Sequence, residues 1–296
     1  MLDSRQTVDP VFFSKLESLE LRARCVVEGF LQGLHRSPFV GYSVEFASHR
    51  EYVPGDDLRH VNWKLYARQK RLYVKEYDAE TNMNLYVLLD VSGSMECASE
   101  GLSKLQYAST LAASLAHLAL KQRDAVGITL FADSVLAHLP PSSKGHQLDS
   151  ILNAIASTTA RPPSRANRSL HAAAELAQHR GLVVIISDLF DDVEALMEGI
   201  EHLRFRRHEV VLFHVLDPLE RDLAIDGSVR FRDLESGEVV TARVEAIRDD
   251  YLRDMKTWRD SLETRCRDRL VDRVELSSGD PLDRALVDYL VRRSQA

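Results

Sequence analysis

Four short, mostly apolar runs, each closed by a polar turn and followed by a helical stretch, restrict this chain to a layered α/β fold. They are residues 84–89, 125–131, 182–186 and 210–215. A strand that is apolar at consecutive positions buries both of its faces, and only a sheet covered by helices on each side allows that. The intervening segments 105–120, 144–157, 169–179 and 193–203 carry apolar residues at helical spacing, and 105–120 is rich in Ala and Leu. Strands alternating with helices at this pitch predict a doubly wound, mostly parallel sheet. Asp133 and Ser134 form a turn that sends the chain back along 135–139, which predicts one antiparallel edge strand.

The rhythm breaks twice. Residues 228–231 and 238–243, joined around Ser236 and Gly237, read as a β-hairpin set into the α/β framework. A long helix over 247–266 follows, then a last strand at 271–276. A last helix is expected over 281–292, with Asp280 placed before Pro281 as its N-cap. Ahead of the first apolar strand, 10–34 is helical in pattern, 42–46 alternates as a strand, and 71–77 alternates as another. The expected organisation is therefore an N-terminal helix and β extension over 1–82. The α/β domain then runs over 83–296, with 217–245 as its inserted hairpin.

Asp90 ends the 84–89 run, and Ser92 and Ser94 follow it at i+2 and i+4. In a loop leaving the carboxyl end of a strand, that spacing brings three hard oxygens toward one point. Such a set suits Mg²⁺, or Mn²⁺, which keeps several of its waters and takes few protein carboxylates. A second strand, 182–186, ends in Ser187 and Asp188. If the two strands are neighbours, Asp188 reaches the same point.

The chain has 296 residues, a net charge of −7 and three cysteines, Cys25, Cys97 and Cys266, with no CxxC pair. The acidic balance argues against general nucleic-acid binding. The scattered cysteines argue against a disulfide framework or a zinc site. No apolar run approaches the roughly 20 residues that span a bilayer, and residues 1–7 lack a signal-peptide pattern. A cytoplasmic protein is expected. Cys97 lies near the motif and would be a reactive thiol only if exposed. His214, on an apolar strand, reads as a core residue rather than a ligand.

The run Asp90-Val91-Ser92-Gly93-Ser94-Met95, with Ile185-Ile186-Ser187-Asp188 later, resembles the metal-ion-dependent adhesion site of a von Willebrand factor type A domain. The resemblance covers 84–293 and implies a doubly wound sheet with one antiparallel edge strand. It also implies a threonine hydroxyl from the loop before the third major helix. Residues 164–169 stand there without a threonine. Either Ser169 or Asn167 supplies the oxygen, or Arg168 places a cation where the metal needs an oxygen.

The N-terminal half narrows the resemblance. Arg50, then Pro54-Gly55-Asp56-Asp57, Arg59, Trp63 and Arg68 resemble the pattern of the bacterial domain-of-unknown-function 58 family. So does the C-terminal Asp280-Pro281-Leu282-Asp283. Residues 50–75 hold seven Lys/Arg against three acids, which makes Arg50, Asp56, Asp57, Arg59, Trp63 and Arg68 candidates for partner binding. The bland reading is a solvated β face with a packed tryptophan. The resemblance implies a MoxR-type AAA+ ATPase as partner and a role in maturing or assembling client proteins, with no reaction attached and no membrane span in this chain.

Three functions are then open. The first is a non-catalytic interaction module in which the cation leaves one position for a partner carboxylate. The second is a Mg²⁺-dependent phosphohydrolase with Asp90 as nucleophile, although such chemistry wants an acid two residues on, where Ser92 stands. The third is a metal-free scaffold of the same fold.

Overall fold

The computed structural model describes residues 18–34, 48–51, 71–76, 83–99, 101–158, 166–190, 193–234, 237–283 and 286. The expected strand at 42–46 and the residues Asp56, Asp57, Arg59, Trp63 and Arg68 lie outside this set. So do the Arg161–Arg165 loop positions, Asp191 and Asp192, and most of the last expected helix.

In chain order, α1 (Leu19–Leu34) is followed by a two-stranded antiparallel ribbon of β1 (Ser48–Glu51) and β2 (Tyr73–Glu76), in which Arg50 lies opposite Val74. The main body begins with β3 (Asn84–Asp90) and a 3₁₀ turn over Gly93–Glu96. It continues through α2 (Lys104–Lys121), β4 (Ala125–Phe131), β5 (Val135–Ser142), α3 (Gln147–Ala156) and α4 (Ala166–Leu176). Next come β6 (Gly181–Ser187), α5 (Val193–Phe205), β7 (Glu209–Leu216) and a five-residue helix α6 (Pro218–Asp222). The hairpin β8 (Ser228–Arg232) and β9 (Val239–Arg243), the helix α7 (Val244–Asp268) and β10 (Asp272–Ser277) complete it.

Six strands form one sheet in the order β10-β7-β6-β3-β4-β5, parallel throughout except for β4 and β5. The architecture is an α/β, von Willebrand factor A-like doubly wound sheet with one antiparallel edge strand. From β3 the chain winds outward through β4 and β5, then returns to the other side of β3 for β6, β7 and β10. The order therefore reverses between β3 and β6. The carboxyl ends of the strands at such a reversal leave a crevice in which ligands bind.

Alternation along the strands divides the core into two layers. Leu85, Val87 and Leu89 pack with Leu111, Leu115 and Ile151 on the face covered by α2 and α3, and Val26 of α1 joins that layer. Tyr86 and Leu88 pack with Leu170, Leu196, Ile200 and Leu262 on the face covered by α4, α5 and α7. Both faces are dry, which explains why β3, β6 and β7 read as near-continuous apolar runs.

Several boundaries move for identifiable reasons. The expected edge strand at 135–139 runs on to Ser142 through Pro140 and Pro141, which an edge position tolerates because one side of the strand needs no ladder donors. Gln147 closes that edge by donating to the carbonyls of Val126 at 2.7 Å and Pro140 at 3.1 Å. The helix expected over 169–179 instead spans Ala166–Leu176, so Ser169 lies in its first turn rather than in the preceding loop. The hairpin expected within 217–245 is present as β8 and β9, but α6 precedes it and was not anticipated.

Candidate functional site

Asp90 and Ser187 end adjacent parallel strands, and Asp188 is the next residue beyond the second. The register pairs Leu89 with Ile186, which sets Asp90 beside Ser187. The Ser187 hydroxyl donates to Asp90 Oδ2 at 2.6 Å, and the Ser92 backbone N–H donates to Asp90 Oδ1 at 2.9 Å. The Ser92 and Ser94 hydroxyls lie 3.0 Å apart. Asp90 and Asp188 are each 2% exposed and Ser92 is fully buried. The structure brings Asp90, Ser92, Ser94 and Asp188 to the sheet reversal.

Burial, then the nearby charge of Asp188, push the Asp90 carboxyl up to about 7, against the opposing pull of its bonds to Ser187 and Ser92. This corner holds more negative charge than its own donors neutralise. Each Asp90 oxygen keeps a second lone pair beyond the bond it accepts. One carboxylate and two hydroxyls make a hard oxygen set, and these residues fit a cation that retains most of its water shell. Among the described residues, no three His, Cys, Asp or Glu side chains cluster as a metal site. The donor set that fits is therefore built mainly on the serines.

The Asp188 side is built differently. Lys104, the first residue of α2, is fully buried and donates from Nζ to Asp188 Oδ2 at 2.7 Å and to Glu220 Oε1 at 2.6 Å. The Phe190 ring lies over the ammonium, 5.0 Å from Nζ to the ring centroid. Burial works against the charge on Lys104, but Asp188 and Glu220 outweigh it and its pKa rises above the ordinary lysine value. Glu220 is held by α6, whose N-cap Asp217 accepts from Leu219 N at 2.8 Å while Glu220 accepts from Asp217 N at 2.9 Å. The other Asp217 oxygen accepts from the Ser99 N–H at 2.8 Å, tying the loop after the 3₁₀ turn to the end of β7.

Between these parts the chain turns through Leu189, a buried residue at φ 59°. A branched side chain in the left-handed region is strained. The turn carries Phe190 outward, where it is 45% exposed and stacks on Trp258 of α7 at 5.3 Å between ring centroids.

Lys104 and Glu220 were missed by sequence reasoning, and Ser187, read there as part of the second strand end, was given no role of its own. Lys104 carried a faint signal, because a lysine at the first position of a helix opposes the helix dipole. Cys97 is half-buried, and burial together with Glu220 pushes its thiol up to about 12, so it stays protonated. His214 is a core residue, as read. Its Nδ1 accepts from Arg273 Nη2 at 2.7 Å, and burial and then Arg273 hold it well below the ordinary histidine value. Ser169 lies in α4 and Arg50 in β1. The five other residues expected to bind a partner lie outside the described set.

Residues 48–261 match the family described as "Protein of unknown function DUF58". The chain belongs to the DUF58 family. It is 28% identical over 250 residues to uncharacterized protein Mb1516 of Mycobacterium bovis, covering 83% of this chain and 78% of that one. Among solved structures, it is similar to the conserved hypothetical protein BatB from Bacteroides thetaiotaomicron (17% identity, 72% of this chain and 100% of that chain, TM-score 0.45). The SpRpn10 VWA domain is also similar (11% identity, 69% of this chain and 93% of that chain, TM-score 0.43). Among the described residues, no helix is long and apolar enough to cross a membrane.

Proposed function

We propose that this DUF58 chain is a non-catalytic protein-interaction module whose docking point is the corner formed by Asp90, Ser92 and Ser94. In use it carries Mg²⁺ or Mn²⁺, and it acts with a MoxR-type AAA+ ATPase in maturing or assembling client proteins. The observation that carries the reading is the pairing of a buried, under-neutralised carboxylate with two serine hydroxyls 3.0 Å apart at the sheet reversal. A cation bound there supplies a positive centre with an exchangeable position for a partner's carboxylate. Asp90 orients the serine turn through the Ser92 N–H, and Ser187 holds Asp90 in place.

An Asp90 nucleophile is poorly supported. Both of its oxygens accept hydrogen bonds, the position two residues on is Ser92, and the Lys104 ammonium beside it is bound to two carboxylates. The same ammonium favours a second reading, a metal-free scaffold, because it gives the corner a cation of its own.

Capture of the ATPase separates these readings. The wild-type chain is expected to retain it in Mg²⁺ and to release it in excess EDTA. Asp90→Ala, shown folded by circular dichroism, is expected to lose it in both. Full-strength capture by Asp90→Ala in EDTA would reject the cation-dependent reading.

A further inference from the structure

We infer that Lys104 is the resident counter-ion of this site: it holds Asp188 away from the divalent cation, confines that cation to Asp90, Ser92 and Ser94, and sets its affinity. The inference rests on the metal reading proposed above and assigns a positioning role that the motif does not contain.

Three observations support it. First, Lys104 is wholly enclosed. Its Nζ lies 2.7 Å from Asp188 Oδ2, 2.6 Å from Glu220 Oε1 and 5.0 Å from the centroid of the Phe190 ring, so it has the closed surroundings of a bound ion rather than those of a surface lysine. Second, the position is costly for a cation. It opens α2, where the helix dipole favours anions, and α2 has no acidic residue in its first turn. Asp188, just beyond β6, and Glu220 of α6 offset that cost, with the Phe190 ring over the ammonium. Third, negative charge is in excess. Asp90, Asp188, Glu220 and the buried Asp217, when ionised, outnumber the ammonium by three, a surplus that a divalent cation lowers. A buried group of charges is tolerated when it is balanced and hydrogen-bonded.

Two substitutions move the balance in opposite directions. Lys104→Met keeps the length of the side chain, adds one net negative charge and frees Asp188 to face the cation. Glu220→Gln keeps an oxygen acceptor for the α6 cap, removes a negative charge and leaves Lys104 to Asp188 alone. Isothermal titration of the full chain with MgCl₂, paired with melting curves with and without Mg²⁺, is the test. Lys104→Met is expected to bind Mg²⁺ roughly tenfold more tightly or better and Glu220→Gln several-fold more weakly, as long-range charge in a partly buried site dictates. Lys104→Met is also expected to melt lower than wild type without Mg²⁺ and to regain that loss with it. A purely structural lysine would lower the melting temperature without moving the Mg²⁺ affinity.

Equal affinity in wild type and folded Lys104→Met overturns the inference while leaving the metal reading intact. Binding that appears only in Lys104→Met upholds the role of Lys104 and overturns the metal reading for the wild-type chain. Silence in all three proteins overturns both. If Lys104→Met does not fold, Glu220→Gln decides: weaker binding supports the inference and unchanged binding overturns it.

Discussion

Asp90 is buried beside Asp188, and both circumstances push its carboxyl up to about 7. An unfolded aspartate titrates near pH 4. Between about pH 4 and 7 the folded, cation-free protein therefore holds a proton that the unfolded chain has released. Stability from this group is fully present at the acid end and falls as pH rises through the folded value, the reverse of the usual carboxylate case. The loss is on the order of a few kcal/mol. Urea unfolding in EDTA from pH 5 to 8 is expected to show wild type weakening with pH relative to Asp90→Asn, which cannot ionise. Parallel pH profiles of the two proteins would show that Asp90 is not held up in this way. Ser187 limits the penalty by donating to the ionised form at 2.6 Å.

Among the elements, α6 shows how a short piece of structure can matter more than its length. Five residues cannot form a stable helix alone. Asp217 stabilises this one through its cap and also holds the Ser99 N–H, so one buried carboxylate joins the 3₁₀ loop, β7 and α6. Asp217→Ala is expected to cost about 1–2 kcal/mol in chemical unfolding. It should also loosen Glu220, because its partner in the capping box is gone. Faster amide exchange at Ser99 and Leu219 than at core strand positions would report that loosening. Unchanged exchange at both amides would contradict the account. Close approach matters as well: a Cβ on Gly181 would sit 2.2 Å from the Asn84 carbonyl oxygen, so glycine lets β6 lie against β3 in the register that sets Ser187 beside Asp90.

Across the described residues, two dry core layers hold the six strands, and the site lies at the carboxyl ends of β3 and β6, where Val91 and Met95 join one layer and Leu189 the other. A ligand that binds only the folded chain raises its stability by mass action, about 2.7 kcal/mol at a concentration of 100 times Kd. Calorimetric melting of the full chain in Mg²⁺ is expected to show that rise, and Asp90→Ala is expected to remove it. Equal melting temperatures for wild type in Mg²⁺ and in EDTA would favour the metal-free scaffold. The stacked pair of Phe190 and Trp258 beside the site ties the Asp188 turn to α7, so this part of the surface is anchored to a long helix.

Most of the sheet could be read from the chain because a strand buried on both faces leaves an unbroken apolar run and its helices leave their own period. The strands β3, β4, β6 and β7 carry that mark, and so does the turn of Asp90, Ser92 and Ser94, whose spacing is local. The hairpin β8–β9 was equally visible through its turn at Gly237. Less could be read where a pattern depends on distant partners. Lys104 looks like an ordinary polar helix start, and α6 is too short to show any period. Nothing near Lys104 in the chain tells that Asp188 and Glu220, 84 and 116 residues later, will enclose it. Local pattern records which faces of a segment are dry, because each residue meets the core through its own backbone geometry. Which charged groups then meet one another is set by strand order, since the reversal between β3 and β6 brings separate loops to one corner. The chain alone supplied the oxygen turn and the sheet that carries it. The folded arrangement added the ammonium that shares the site.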